Sequence, residues 1–244
     1  MRKLCARPDP SKDLKANLLV WAEQWQALRE KNADAEFSWY QKQKKGAERS
    51  ARLWLLDELL PWTNNHCAFC DGMGGTTNWP VEHFKPKAKH RFPEAAYDWT
   101  NLYPCCERCQ GKGDEWEADL LRPDEDGYEF GDCFYFDYTA PEGVALLAKP
   151  GNQRAATLLR LYRLDDTQRR GARRREWHFW DPPPYDDPQL RPHASEEEKT
   201  HWQQARQMRQ LCVERYRSGH LSLEDRPYRD LAEEVIQRLA AEHA

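Results

Sequence analysis

Two cysteine pairs, each with the spacing Cys-x-x-Cys, carry the most specific chemistry in this sequence. Cys67 and Cys70 form the first pair, and Cys106 and Cys109 form the second. Each pair makes a tight turn whose two thiolates can point at one ion, and four thiolates suit a tetrahedral structural zinc. Cys105 competes with Cys106 as a ligand, but it does not make the usual spacing with Cys109. We therefore predict that the two Cys-x-x-Cys pairs bind one zinc ion.

A glutamate and a histidine, Glu82 and His83, lie between the two pairs. Hydrolysis of a phosphodiester needs an activated water and a cation near the developing charge. A neutral imidazole is available near pH 7, so His83 can act as the general base. Both residues fall on an expected strand, 80–84, where neighbouring side chains point to opposite faces. They serve one site only if this strand is bent or a metal lies at its edge.

The order of these residues resembles the HNH endonuclease family, whose finger is a ββα-metal unit between zinc knuckles. The family motif is an acidic residue plus His, then Asn-Leu, then Cys-x-x-Cys followed at once by His or Asn. Glu82-His83, Asn101-Leu102 and Gln110 after the second cysteine pair match in order and spacing. Gln110 departs from the usual His or Asn.

The resemblance implies a role for each matched residue. His83 would be the general base, and Asn101 would tie the loop across the finger and orient His83. Glu82 and Gln110 would bind the catalytic Mg²⁺ or Mn²⁺, since Gln keeps a carbonyl oxygen that such a hard cation accepts.

A subgroup resemblance extends beyond the finger. Residues 81–87, 92–94 and 98–102 look like the HNH proteins of Septu-type antiphage systems, including the retron-associated ones. This resemblance implies a partner ATPase of the SMC/ABC type. It also suggests a retron reverse transcriptase with its nucleic-acid product as a further partner. The helical flanks would then be docking surface.

Basic residues follow the predicted base closely. Lys85, Lys87 and Lys89 come directly after it, and Lys112 is expected on the finger helix. They can hold phosphates without choosing a sequence, although a solvated charged loop explains them equally well. A denser arginine run at 169–175 is expected to form a solvated or partner-facing helix, with nucleic acid as the alternative. The aromatic residues at 177, 179 and 180 are expected in a core or an interface.

The remaining pattern predicts helices around a central finger. Helices are expected over 11–31, with Leu14, Leu18, Trp21, Trp25 and Leu28 buried, and over 47–60, with Leu53, Leu56 and Leu60 on one side and Pro61 ending it. A short helix is expected from Cys106 onward. Later elements are a hairpin (133–136 and 143–146), helices at 152–163, from 165, at 195–218 and at 225–243, and an extended linker at 181–188.

The predicted fold class is α+β, mainly helical with a central ββα-metal HNH finger stapled by a zinc ion bound to four cysteines. We divide the 244 residues into an N-terminal helical region, 1–60, a finger with its knuckles, 61–122, and a hairpin with C-terminal helices, 123–244. The formal net charge of −4 excludes a globally basic chain, so nucleic acid would need a local basic surface. There is neither an apolar signal core nor an apolar run of about 18 residues, so we expect no membrane and a reducing cytoplasm.

These observations favour a metal-dependent nuclease that acts in a defence complex, with DNA as the expected substrate. The same water-based chemistry would cut RNA such as tRNA. A zinc-stabilised binding or scaffold subunit with a degenerate site is the alternative from another class, motivated by Gln110 and by the acidic net charge.

Overall fold

The computed structural model describes residues 1–39, 50–73, 79–88, 91–181 and 193–242. About half of the chain is helical, and the strands form two small sheets of two strands each, so the α+β prediction is confirmed. The chain divides into two compact units. Unit 1 contains Met1–Tyr135 and Leu147–Asp165, and unit 2 contains Phe136–Leu146 and Asp166–Ala244.

Helix α1, Lys12–Lys31, opens unit 1 and supplies much of its core. The Leu14 backbone N–H donates to the Ser11 hydroxyl, which caps the first turn. The apolar stripe is buried at Leu14, Leu18, Trp21 and Trp25. The stripe ends one turn early, because Leu28 is 44% exposed, and its predicted burial was wrong.

Helix α2, Ala51–Trp62, packs into the same core. The predicted buried side was wrong at Leu53, which is 40% exposed, and confirmed at Leu56, which is buried together with Ala51, Leu55 and Leu59. Pro61 lies within the last turn and the helix ends one residue later. The predicted start, 47–49, lies outside the described residues.

A two-stranded antiparallel sheet carries the Glu-His pair. Strand β1, Val81–His83, pairs with strand β2, Leu102–Pro104, so that His83 lies opposite Leu102. Two short 3₁₀ helices, Pro93–Tyr97 and Trp99–Asn101, fill part of the connection between the strands. Both strands are buried throughout, which fixes their register, because a one-residue slip would move every side chain to the other face.

After β2 the chain makes the second knuckle and then a 3₁₀ helix, Cys109–Lys112. The predicted helix from Cys106 therefore shortens to one turn. Gly113 ends it with a φ of 62°, a left-handed conformation that glycine adopts at no steric cost.

Next along the chain come a one-turn helix, a hairpin and a further helix. Each strand of the hairpin has residues in both units. The elements are α3 (Phe130–Cys133), β3 (Phe134–Asp137), β4 (Ala145–Ala148) and α4 (Gln153–Leu161). The hairpin and the helix are confirmed, with strand starts one and two residues later than predicted. Asn152 caps α4 by accepting from the Ala155 N–H.

Unit 2 is built on α5 (Thr167–Trp180), α6 (Glu196–Arg217) and α7 (Arg229–Glu242). Its core contains Val144, Trp180, Leu231, Ala232, Val235 and Ile236. The backbone packs so closely at Gly143 that an added Cβ would lie 2.3 Å from the Arg170 carbonyl oxygen. The last helix begins at Arg229 and not at 225, and residues 182–188 of the predicted linker lie outside the described residues. None of the helices in the described ranges has the length and apolar character of a membrane span.

The prediction that the arginine run on α5 forms a solvated or partner-facing helix was wrong for two of its arginines. Arg169 and Arg173 are each only 2% exposed, so the helix is not solvated all round. The Arg173 guanidinium donates to the Val144 carbonyl at 2.9 Å, and Arg170 pairs with Glu142 at 3.6 Å. These arginines hold unit 2 together, and the run offers fewer cations to a partner or to nucleic acid than its sequence suggests.

The aromatic cluster at the end of α5 divides between core and surface. Trp180 is buried, and its indole N–H donates to the buried Glu176 carboxylate at 2.9 Å. Phe179 is 52% exposed, and the Arg226 guanidinium lies 4.1 Å from its ring centroid. Trp180 therefore lies in the core, as one half of the prediction has it, and a place for Phe179 in an interface stays a prediction.

Candidate metal and catalytic site

The four cysteines of the two knuckles lie together. The sulfur atoms of Cys67, Cys70, Cys106 and Cys109 are all within 4.8 Å of one another, and those of Cys70 and Cys106 are 3.7 Å apart. Four thiolates at the usual zinc–sulfur length of about 2.3 Å around a tetrahedral ion would be about 3.8 Å apart. The spacing therefore fits one structural zinc.

Backbone hydrogen bonds place the first knuckle against the sheet. The Cys67 N–H donates to the Gly72 carbonyl at 3.0 Å and closes a turn. The Ala68 N–H donates to the Pro104 carbonyl at 3.0 Å, which ties the knuckle to β2. The zinc ligands and the Glu-His strand consequently share one small framework, whose strands pack through Val81 and Leu102 into the apolar core formed with α1 and α2.

The thiol groups are electrostatically unequal. Hydrogen bonds from the Cys109 and Cys67 thiols lower the pKa of Cys106, while burial raises the pKa of Cys67 and Cys109. Zinc binds the thiolate form, so metal binding would release protons from the buried thiols.

Cys105 is separate from this cluster. It is fully buried, its backbone N–H donates to the Pro80 carbonyl at 3.2 Å, and its sulfur is not part of the four-thiol group. The cluster thus contains Cys106 and not Cys105, as the knuckle spacing predicts. Binding of zinc by these four cysteines stays a prediction.

His83 has a fixed ring orientation. Its Nε2 lies 3.0 Å from the Ala96 carbonyl oxygen. A carbonyl only accepts, so Nε2 carries the hydrogen and Nδ1 of the neutral ring keeps its lone pair. Burial lowers the pKa of His83 well below its ordinary value, with Lys87 adding to the effect. The imidazole is therefore a neutral ring with Nδ1 as its basic atom.

Two aromatic rings enclose this imidazole. Trp39 stacks on it with ring centroids 5.2 Å apart, and Phe37 meets it edge-on at 5.3 Å. His83 is only 5% exposed as a result. Neither ring was predictable from the motif, since the only signal in the sequence is an aromatic pair between two helices, far from the motif.

Helix α1 holds the segment that orients His83. The Trp25 indole N–H donates to the Pro93 carbonyl at 2.8 Å, at the start of the 3₁₀ helix that contains Ala96. Trp21 packs on Tyr97 at 5.8 Å between ring centroids. The apolar stripe of α1 thus fixes the carbonyl that the imidazole contacts.

Asn101 bridges the same loop with three hydrogen bonds. Its Oδ1 accepts from the Lys85 N–H at 2.6 Å, and its Nδ2 donates to the carbonyls of Lys85 at 3.0 Å and Ala95 at 2.9 Å. The Ala95 carbonyl directly precedes the one that holds His83. Asn101 therefore fixes the backbone on both sides of the imidazole.

Glu82 faces a buried lysine. The Lys112 Nζ lies 3.1 Å from Glu82 Oε1, with the Lys112 side chain fully buried. Burial raises the pKa of Glu82 to about 7 despite the opposing effect of Lys112. Within the described residues Glu82 Oε2 makes no hydrogen bond, which leaves one oxygen for a hard cation. The predicted contact of Lys112 with phosphate does not fit this burial.

Gln110 is exposed and lines a pocket of about 470 Å³ with Trp39, Arg52 and Val81. Its carboxamide makes no hydrogen bond in the described part of the chain and is available to a ligand. No hydrogen bond or ion pair there joins Glu82, His83 and Gln110. Sharing of one metal by Glu82 and Gln110 stays a prediction.

The predicted phosphate-binding lysines differ in exposure. Lys85 is exposed, with its ammonium 5.8 Å from the Phe92 ring centroid. Lys87 is half-buried 4.9 Å from the Phe37 ring centroid, and burial lowers its pKa. Lys89 lies outside the described residues. Phosphate binding by these lysines stays a prediction, and Lys85 is the exposed one among those described.

The chain has a partial similarity to a Septu protein. Over 56 residues it is 39% identical to the protein named Septu protein PtuB of Bacillus thuringiensis. The matched stretch is 22% of this chain and spans 21% of that protein. No family model and no solved structure matches the chain. The similarity supports a relationship to Septu-type defence proteins.

Proposed function

We propose that this chain is a metal-dependent endonuclease of the HNH type that hydrolyses phosphodiester bonds, with DNA as its substrate. The observation that carries the proposal is the state of His83. Its Nε2 is bound to the Ala96 carbonyl and its pKa is lowered, so Nδ1 is a free base at neutral pH. The same function is supported by Glu82 on the same strand, by Asn101 across the loop and by the four-cysteine cluster.

In this proposal His83 Nδ1 takes a proton from the attacking water, whose oxygen bonds to phosphorus while the bond from phosphorus to the leaving sugar oxygen breaks, and that oxygen takes a proton from solvent. Asn101 and Ala96 keep the ring from rotating, so the lone pair stays aimed at one position. Glu82 and Gln110 would hold Mg²⁺ or Mn²⁺, and the bound cation would stabilise the charge on the phosphate. The zinc at the four cysteines would be structural, since it has four protein ligands and no open position.

Access to the base requires movement of its aromatic walls. Trp39 and Phe37 leave His83 only 5% exposed, so nucleic acid or a partner must open this contact before water and phosphate reach Nδ1. Lys85 and Lys87, together with Lys89, would hold the phosphate backbone without sequence choice.

The partial similarity to a Septu protein supports a role in antiphage defence. We place the nuclease as the effector of an antiphage complex with an SMC/ABC-type ATPase, and with a retron reverse transcriptase and its product in retron-associated systems. The helical flanks would be the docking surfaces.

The test is a digestion panel with His83→Ala. Zinc-loaded wild type is mixed with plasmid, single-stranded DNA and total RNA, with Mg²⁺ or Mn²⁺, with and without the ATPase. We expect cleavage of DNA and a loss of about 100- to 10,000-fold in His83→Ala, the usual contribution of a general base. His193→Ala, which changes an exposed histidine in unit 2, is the matched control and should retain full activity.

The other outcomes separate the alternatives. Full cleavage by a folded, zinc-loaded His83→Ala protein would disprove the assignment. Cleavage of RNA alone would keep the chemistry and change the substrate. An absence of cleavage with every metal, together with tight ATPase binding, would favour the scaffold subunit with a degenerate site.

A further inference from the structure

Lys112 contacts the proposed catalytic strand through its buried ammonium. This ammonium lies 3.1 Å from Glu82 Oε1 and donates to the carbonyls of His83 and Phe84, each at 3.4 Å. It also donates to the carbonyls of Gly113 at 3.4 Å and Glu115 at 3.2 Å. Five oxygens thus surround one buried ammonium.

These oxygens come from two different parts of the chain. Three belong to β1 and the residue after it, and two belong to the turn that follows the second zinc knuckle. Lys112 itself is three residues past Cys109, so its side chain spans from the knuckle to the strand. The geometry links the zinc-binding turn directly to Glu82 and to the backbone of His83.

A lysine suits this position for physical reasons. Its ammonium is a compact charge with three donors that point in different directions, whereas a guanidinium is a planar fork. A buried charge is tolerated only when paired and hydrogen-bonded, and both conditions hold here. The ammonium fixes Glu82 Oε1 and leaves Oε2 without a hydrogen bond in the described residues.

We propose that Lys112 is a positioning residue of the metal site: its ammonium holds the Glu82 carboxylate in the orientation that presents Oε2 to the divalent cation, and ties this carboxylate to the zinc knuckle. The inference rests on the proposed function, because it takes Glu82 as a metal ligand. Carboxylates that bind metals are typically oriented by such a second hydrogen-bonding partner, and its loss costs about 10- to 100-fold in metal affinity or activity.

The experiment measures Mn²⁺ binding to the zinc-loaded full chain by calorimetry. We expect Lys112→Met to bind Mn²⁺ about 10- to 100-fold more weakly than wild type, while zinc content stays unchanged. Lys112→Arg keeps the charge but not the directions of the donors, and we expect it to weaken Mn²⁺ binding as well. Lys15→Met, which removes an exposed lysine from α1, is the matched control and should bind like wild type.

A kinetic measurement distinguishes positioning from simple loss of fold. In Lys112→Arg we expect kcat to fall while KM for DNA is unchanged, because Lys112 is buried and does not touch the substrate. Wild-type Mn²⁺ affinity in zinc-loaded Lys112→Met and Lys112→Arg would overturn the inference and leave the proposed function intact. No Mn²⁺ binding by wild type, or unchanged binding in Glu82→Gln, would overturn both.

A second measurement uses the wild-type protein alone. The buried ammonium of Lys112 should give a slowly exchanging ¹⁵N signal in wild type, because water cannot reach it. Adding Mg²⁺ should shift this signal, since the cation binds the same carboxylate, and should leave the signals of exposed lysines in place. Saturation with Mg²⁺ without any shift would overturn the inference.

Discussion

The indole of Trp39 lies nearly parallel to the imidazole of His83, at an interplanar angle of 20°. This contact joins a residue before α2 to the proposed general base on β1. It removes water from one face of the imidazole and so contributes to the lowered pKa of His83. The proposed base is therefore kept neutral by packing as well as oriented by hydrogen bonds.

Replacing Trp39 with Ala should raise the pKa of His83 toward the ordinary value for histidine. Water would reach the open face and solvate the imidazolium, which burial now disfavours. The measurement is an NMR titration of the His83 ring signals in wild type and Trp39→Ala. Trp116→Ala, which removes the indole that meets Phe92 edge-on, is the control, and its His83 titration should match wild type. Identical titrations in Trp39→Ala and wild type would show that groups other than Trp39 lower the pKa of His83.

The buried neutral state of His83 also predicts how stability depends on pH. The unfolded chain protonates this histidine near pH 6.5, whereas the folded chain resists protonation. Acidification through this range therefore favours the unfolded state, and the contribution of His83 to stability is lost as pH falls. Urea titrations at several pH values measure the free energy of unfolding. As pH falls, this free energy should decline less in His83→Asn than in wild type. An equal decline would mean that His83 is protonated in the folded chain.

Asn101 should be required for both fold and activity. Asn101→Ala removes three hydrogen bonds and leaves the buried carbonyl of Ala95 without this donor. We expect the free energy of unfolding to fall by about 3 kcal/mol, the cost of leaving buried polar groups unpaired. Urea denaturation measures it. Thr100→Ala changes the neighbouring residue, whose hydroxyl donates to Asp98 at an exposed position, and should cost much less.

The sequence determined the cysteine cluster and the capped helices because these depend on local spacing. The Cys-x-x-Cys spacing alone distinguishes Cys106 from Cys105. Ser11 and Asn152 cap their helices, as their residue types favour. Such features need no knowledge of distant contacts.

The burial of charged side chains could not be predicted from the sequence, because it depends on which residues pack against each face. Lys112 looks like a surface lysine on the finger helix, yet the fold encloses its ammonium against Glu82. Arg173 lies in a run that suggests solvent exposure, yet it hydrogen-bonds to the Val144 carbonyl in unit 2. Trp39 is far from His83 in sequence, and only tertiary packing brings the rings together.

Two neighbouring arginines on α5 should therefore differ in their effect on unit 2. Arg173→Met leaves the buried Val144 carbonyl without this charged donor, and we expect a loss of about 2 kcal/mol in stability. Arg175→Met changes an exposed side chain and should be within about 0.5 kcal/mol of wild type. Thermal unfolding followed by circular dichroism compares the two. Equal losses would show that the buried guanidinium is not the stabilising group.

The adjacent cysteines at the second knuckle offer the sharpest test of the metal centre. Cys106→Ala removes one of four clustered thiols, so we expect bound zinc to be lost and the finger to unfold, because metal binding supplies much of its folding free energy. Cys105→Ala removes a buried thiol outside the cluster and should retain one zinc per chain. Elemental analysis of both purified variants measures the metal directly. Zinc retained in Cys106→Ala but lost in Cys105→Ala would show that Cys105, and not Cys106, is the zinc ligand.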